Sequence, residues 1–577
     1  MNRFQEAVGQ IGEQECREIN SCLRRLQAHR KQWAALALQE KGQLLQQLGQ
    51  NLAAAAPHWV NLANSARQID PHSPWAAEEW YEIFTVARAI HGYADTLTLF
   101  TQGSQPRPQK VWTRPSGQVV AQVFPTDTFD WLLFNGMTTE VWMQPAVTLA
   151  TLPEQMGAFY RQEQPPGSVA LVLGAGNVNS IPALDLLDRL YGRGQVVLLK
   201  LSPVNAYLRP VLEAIFAPLM AAGFLAIVAG DAAMGSYLAY HPEVEEVHLT
   251  GSADTYRAIM YGQKNGQMRP QDRPLLGKPI TTELGGITPV IVLPGRWTAA
   301  DIQFQAENIA TMKLYNVGCN CISAQLLILP EKWSQGHELV AAVQRLMRLL
   351  PPQHAYYPGA AERQQAAQQA YPEALLLGAG DAPRTLIPAR ARTERDDHCL
   401  HTEFFGPTLA VLTLPGDTAV SFLQKATAFC NESVTGNLGI DLIVPPDTLQ
   451  GERAALDTAV ADLKYGAIGL NSWCGVIYRL TQNPWGAYQD PDANDLGSGR
   501  GVVHNTLLFD QPQKAVARGR FRPFPRSWWH GDPAFLPKPP WFVTHRQRWT
   551  TARRVAEFSL NPSYSRLPGI FAAALRG

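Results

Sequence analysis

Val169-Ala170-Leu171-Val172-Leu173-Gly174-Ala175-Gly176-Asn177 is a run of five apolar residues ending in a glycine turn. Five residues with no polar member predict a strand buried on both faces, as in a parallel sheet. The glycines that follow allow close approach of backbone to a neighbour or a ligand. The pattern then repeats along the chain. Pro182–Leu190 has helical apolar spacing, Val196–Leu201 reads as a second buried strand and Pro203–Ala222 as a helix. Ala226–Ala229 and Val244–Leu249 read as a third and a fourth strand. Strand–helix alternation of this kind predicts a doubly wound α/β sheet that binds ligands at the carboxyl ends of its strands.

Upstream, residues 14 to 65 carry helical apolar spacing (Leu23, Leu26, Trp33, Leu45, Leu48, Leu52) and predict a helical lead-in. From about 108 to 150 the segments shorten and become richer in β-branched and aromatic residues, as in Val119–Phe124 and Val141–Leu152. Downstream of residue 285 a second alternation begins with Val290–Leu293, a helix over 299–315 and Ala324–Leu329, and continues to about 480. The expected architecture is α/β: two doubly wound domains, one Rossmann-like, with a junction near Glu283.

Composition narrows the function class. The chain has 577 residues, 46% hydrophobic and 17% charged, the balance of a folded globular protein with room for two or three domains. Lys+Arg and Asp+Glu are both 49, so the chain as a whole shows no bias toward nucleic acid or acidic partners. No uncharged apolar run of about eighteen residues predicts a membrane span, and Met1 to Cys16 does not read as an export signal. Seven sparse cysteines then suggest free thiols in a reducing cytoplasm. With no C-x-x-C pair and no histidine cluster, no metal site is expected.

Three short segments carry chemistry. Asn316-Val317-Gly318-Cys319-Asn320-Cys321 lies between a helix and the strand Ala324–Leu329, where a thiol can meet backbone N–H groups. Glu283-Leu284-Gly285-Gly286 offers a carboxylate able to act as general base beside glycines that admit a ligand. Gly174-Ala175-Gly176-Asn177 suits phosphate approach at a helix N-terminus, but Asn179 stands where a G-x-G-x-x-G fingerprint needs its third glycine. Each segment alone has a bland reading: an inert cysteine, a surface glutamate, a glycine turn.

Taken together and in order, they resemble the aldehyde dehydrogenase superfamily over roughly residues 20 to 515. Val196 to Lys200 is similar to its strand ending in a ribose-binding lysine, and Asn177, 23 residues before Lys200, to its oxyanion-hole asparagine. Gly230 and Leu249-Thr250-Gly251-Ser252 resemble further cofactor-side turns. Glu283-Leu284-Gly285-Gly286 is similar to the E-L-G-G general-base motif and Asn316–Cys321 to N-x-G-Q-x-C. Glu403-Phe404-Phe405-Gly406-Pro407 resembles E-I-F-G-P, and Asn483–Tyr488 with Gly497–Arg500 the approach to the terminal oligomerisation strand. The resemblance implies catalytic roles for Cys321, Glu283 and Asn177. It implies cofactor contacts for Lys200, Gly176, Gly230, Gly251, Ser252, Glu403 and Phe405.

The implied layout is a cofactor domain over 1–283 with a β-hairpin insertion within 110–165, and a thiol domain over 284–482. Residues 483–515 would return to the cofactor domain and supply an oligomerisation strand, giving a homodimer or homotetramer. The implied reaction oxidises an aldehyde through a Cys321 thiohemiacetal and thioester, with Glu283 activating the hydrolytic water. Pro203 replaces an expected acid after Lys200, so the cofactor is NAD or NADP, undivided. The Gly176-Asn177-Val178 pattern keeps a CoA-linked acyl reductase open as an alternative, and a non-catalytic scaffold is a third reading.

Two features stand outside the family pattern. Cys319 occupies the usual glutamine position and reads either as a packing residue or as a reversible disulfide partner for Cys321. Residues 511–577 hold twelve Lys+Arg against Asp532 and Glu557, together with Trp528, Trp529, Trp541 and Trp549. The extension from 516 onward reads first as a wrap on the protein's own core. Peripheral membrane contact is the second reading and nucleic acid a remote third.

Overall fold

The computed structural model describes residues 11–262, 273–391, 397–490 and 496–577. Six strands form one sheet in the order Gly499–Arg500, Ile280–Leu284, Glu246–Gly251, Val169–Leu173, Val196–Leu201, Leu225–Ala229. All neighbours are parallel except the short Gly499–Arg500 edge. Every residue of Val169–Leu173 and Val196–Leu201 is buried, as their apolar runs require. The fourth strand starts at Glu246 rather than Val244, because Val244 N–H closes a turn onto the His241 carbonyl. Glu246 can open a strand because Arg189 Nη1 donates to it at 2.6 Å.

The lead-in is two helices, Glu13–Ala35 and Leu38–Ala66, because Leu36 and Ala37 adopt extended backbone between them. A third helix, Glu78–Thr101, packs against the second and against the core; its apolar stripe is invisible in the sequence because nearly its whole first half is buried.

The second sheet has eleven strands. Its centre, from Ala467–Leu470 through Gly439–Ile443, Thr288–Val292 and Ala324–Pro330 to Thr408–Leu414, is parallel. The chain crosses from the first sheet to the second between Leu284 and Thr288. The hairpin region contributes Lys110–Thr113, Val119–Phe124 and Thr138–Met143 to one side of this sheet. The strand assigned to oligomerisation is Pro512–Arg518. It lies between Thr138–Met143 and Ala467–Leu470 of the same chain, so both of its edges are already paired.

Beyond Arg518 the extension lies on the core. Arg522 and Arg526 meet the fully buried Asp301, Lys538 meets Glu307, and the helix Arg548–Leu560 packs on Glu78–Thr101. Arg548, 1% exposed, pairs with buried Glu78 at 3.1 Å. Trp549 meets Trp80 edge-on, while Trp528 and Trp529 remain exposed. Among the described residues no helix is long and apolar enough to cross a membrane.

Candidate active site

The reactive loop follows the helix Ala299–Leu314, and its backbone is strained. Asn316 and Val317 both take positive φ, 53° and 58°, a region that a β-branched residue enters only at a cost of about 1–3 kcal/mol. Asn316 is the hub that holds it. Its N–H donates to Glu78 Oε2 (2.9 Å), and its Nδ2 to Asn177 O and Cys319 O (2.8 Å each). Arg67 Nη1 donates to Asn316 Oδ1 (3.3 Å) and Nη2 to Asn177 O (3.0 Å). The Tyr356 hydroxyl lies within hydrogen-bonding distance of the same two oxygens, and its ring stacks under the Arg67 guanidinium. One network thus fixes the Asn177 turn against the Cys321 loop.

Asn177 is 5% exposed and donates from Nδ2 to the Cys319 carbonyl at 3.2 Å. An amide nitrogen carries two hydrogens, so a second donor is left for a ligand. Cys321 and Glu283 face each other. Burial, followed by the Glu283 charge, pushes the Cys321 thiol well up from its ordinary value, so the resting group is a protonated thiol beside a carboxylate. Burial also raises Glu283 to about 7, with Asp185 adding repulsion. Glu283 Oε1 and the nearby Trp485 Nε1 are both buried without a completed hydrogen bond.

Glu403 lies on the other side of the glycine pair. Its carboxylate sits where a Cβ on Gly285 would be, 2.1 Å from Oε2, so only glycine fits there. Burial raises Glu403 to about 7 against the Gly286 N–H, Arg363 and Lys313. Lys313 anchors the segment after Glu403 through Gly406 O and Thr408 O (2.9 Å each). Phe405 has φ 42°, packs on Tyr357, and its carbonyl accepts the Cys319 thiol at 3.4 Å. Cys319 is therefore a buried packing thiol turned to that carbonyl. Burial raises it to about 12, and both thiols are free.

The remaining predicted residues gather at the carboxyl ends of the six-stranded sheet. Gly176 would, with a Cβ, collide with Ser202 Oγ (2.6 Å) and Val204 (2.7 Å), so the turn after Leu173 is pressed close to the turn after Lys200. Lys200 is nearly buried beside Asp231, and burial lowers its pKa. Gly230 admits the Met234 side chain. Gly251 leads into Ser252, whose hydroxyl caps the helix Ala253–Tyr261 through Thr255 N–H. A glycine cradle, a lysine and a capped helix N-terminus at adjacent strand ends fit the phosphates and ribose of a dinucleotide.

Sequence reasoning missed the residues behind this surface. Thr250 is the register partner of Glu283 on the adjacent strand, and its hydroxyl donates to Asp185 Oδ2 at 2.8 Å. His248 Nε2 lies 3.4 Å from the same oxygen and its other nitrogen 3.1 Å from Arg189. The signal was Asp185, the one acid in the otherwise apolar Ile181–Leu187 helix. Arg67, Tyr356, Glu78 and Arg479 carried no motif.

Residues 152–372 match the Aldehyde dehydrogenase family model. That match covers 221 of the 577 residues, and over it the chain is similar to the aldehyde dehydrogenase family. A coniferyl aldehyde dehydrogenase of a Pseudomonas species is 26% identical over 309 residues, which are 49% of this chain and 59% of that relative. The matched region thus spans less than two thirds of the relative's length. Among solved structures, the aldehyde dehydrogenase KauB from Pseudomonas aeruginosa superimposes with a TM-score of 0.58 at 15% identity, covering 87% of this chain and 89% of that one. Aldehyde dehydrogenase C from Pseudomonas syringae, solved with NAD+ and octanal, gives 0.55 at 15% identity over 88% and 89%. At these identities the superpositions show a shared fold alone.

Proposed function

We propose that this protein oxidises an aldehyde to a carboxylic acid, with Cys321 as nucleophile and Glu283 as base. The observation that carries the reading is the pairing of the half-buried Cys321 thiol with the buried Glu283 carboxylate, whose pKa is raised to about 7. As sulfur attacks the aldehyde carbon, the thiol proton passes to Glu283, and the new oxyanion takes hydrogen bonds from the free Asn177 Nδ2 hydrogen and the Cys321 N–H. Donors of this kind are worth about 3–4 kcal/mol each to the transition state. Lys200, Gly176 and Glu403 would hold a bound NAD or NADP, which would supply the acceptor for the hydride that leaves the thiohemiacetal carbon. Cys321 is left as a thioester. Glu283, its proton returned to solvent, then takes a proton from water as the hydroxide adds to the acyl carbon, releasing acid and free thiol.

Glu403, against Gly285, would hold a ribose hydroxyl and Lys200 the other ribose; Pro203 leaves both NAD and NADP admissible. The test follows reduced-cofactor formation with a panel of aldehydes, each dinucleotide, and with or without CoA. CoA-independent turnover lost in Cys321→Ala is the expected result. Strict CoA dependence overturns hydrolysis, and no turnover by any aldehyde overturns the enzyme reading.

A further inference from the structure

The helix Ala299–Leu314 carries the nucleophile loop at its end, and the C-terminal extension follows one face of it from the first turn to the last. At the start, the carboxylate of fully buried Asp301 accepts from Arg522 Nε and Nη2, 2.8 Å each, and Arg526 Nη1 lies 3.1 Å away. One turn on, Gln305 Nε2 donates to the Phe521 carbonyl (2.7 Å), and the Phe304 ring stacks on Phe542 at 5.1 Å. Glu307 Oε2 then accepts from the Thr544 hydroxyl (2.8 Å) and from Lys538 Nζ (3.3 Å). In the last turn Thr311 Oγ1 accepts the Val543 N–H at 3.0 Å. Past the helix, the Arg548 guanidinium lies 5.7 Å from the Tyr315 ring centre and donates to Glu78 Oε1 at 3.1 Å. The extension thus advances with the helix, from residues 521–526 at its start to 548 at the loop.

The contacted positions 301, 304, 307 and 311 recur every three or four residues, so they form one stripe. Two of the four are acids, which a buried face keeps only when they are paired. Their cations come from the extension and from nowhere else among the described residues. The loop that follows holds Asn316 and Val317 at positive φ, and strained backbone of this kind persists only where its surroundings over-determine it. Glu78 is the point where both constraints converge. One of its oxygens accepts the Asn316 N–H and the other is held by Arg548.

We propose that the C-terminal extension is a splint for the nucleophile helix, and that Arg548 is a positioning residue of the active site, holding Cys321 opposite Glu283 and Asn177 by way of Glu78 and Asn316. Arg548 touches no reacting atom; it sets where the thiol stands. The basic character of the extension follows from this task, since its cations meet the acids of this helix and of Glu78–Thr101.

The turnover arm of the test rests on the function proposed above, whereas the labelling arm does not. In the full-length chain, at a temperature where circular dichroism shows each variant folded, alkylation of Cys321 by iodoacetamide is timed by peptide mass spectrometry. Cys16 and Cys22, half-buried on the helix Glu13–Ala35, serve as internal references. Releasing the loop exposes the thiol and raises its thiolate fraction, so Arg548→Met should speed Cys321 labelling by about ten-fold and Lys538→Met by about three-fold, with the references unchanged. The same variants should lower kcat by about a hundred-fold and about ten-fold, at a KM for the aldehyde within about three-fold of wild type. Arg548→Lys, which keeps a cation at Glu78, should recover kcat to within about ten-fold. Arg553→Met, which breaks an exposed pair with Glu557 on the same helix as Arg548, should change neither readout. The Lys538–Glu307 pair is partly exposed, so Lys538→Met carries the test where Arg548→Met does not fold. Cys321 labelling that rises only in step with Cys16 and Cys22, or an active enzyme whose kcat is unchanged in both variants, overturns the splint and leaves the proposed reaction standing. Selective labelling of Cys321 in a chain that turns over no aldehyde overturns the reaction and leaves the splint.

Discussion

The Cys321 loop and the C-terminal extension lie side by side but are held by opposite means. The loop is fixed by directional bonds to one residue: Asn316, five residues before the thiol, engages Glu78, Arg67, Tyr356, Asn177 and Cys319. The extension is fixed by packing and a few buried ion pairs, with Arg548–Glu78 the deepest. Directional bonds position atoms within tenths of an ångström, as chemistry requires. Apolar packing makes a brace and tolerates sequence change. The two regions share a residue, since Glu78 accepts from Asn316 N–H with one oxygen and from Arg548 with the other. The extension is thereby coupled to the nucleophile loop.

The difference can be broken from either side. Cys321→Ala removes the proposed nucleophile, and steady-state turnover should fall by at least about ten-thousand-fold with an unchanged melting temperature. Arg548→Met should do the reverse. It leaves Glu78 buried without its partner, so chemical denaturation should show a loss of about 3–5 kcal/mol. The same variant should lower kcat as well, because Asn316 loses a fixed partner, and a stability loss with no change in kcat would separate extension from loop.

A smaller effect reads the base itself. Glu283 must be ionised to act, and burial raises its pKa to about 7. Turnover should therefore fall about ten-fold per pH unit below that value and level off above it. An acid limb with its midpoint near 4.5, the ordinary glutamate value, would mean that Glu283 is not the titrating base. The smallest effect is expected at Cys319. Its thiol points to the Phe405 carbonyl, so Cys319→Ser should be inactivated by peroxide at the wild-type rate. Protection in that variant would revive a disulfide with Cys321.

Legibility followed the same division. Val169–Leu173 and Val196–Leu201 were readable because burial on both faces leaves no polar interruption. Cys321, Glu283 and Asn177 stood out as candidates because they sit in or beside glycine-containing turns at strand ends, where residue type is constrained. The fourth strand was misplaced by two residues because a charged residue paired with Arg189 opens it. The helix Glu78–Thr101 was missed because three buried glutamates, each matched to an arginine outside the helix, erase the apolar periodicity. The extension read first as a wrap on the core, but nothing in a linear sequence tells which of its basic residues meet Asp301, Glu307 or Glu78. Pairing across several hundred residues is a property of the fold, and it hid the splint while the loop stayed visible.

The central claim is that Cys321 carries the acyl group and Glu283 releases it. Intact-protein mass spectrometry of Glu283→Gln after mixing with aldehyde and oxidised cofactor tests it most directly. The account predicts one acyl adduct, mapped to Cys321 and cleared by hydroxylamine, while wild type shows none at steady state. An adduct on another residue, or a Glu283→Gln enzyme that hydrolyses as fast as wild type, would contradict it.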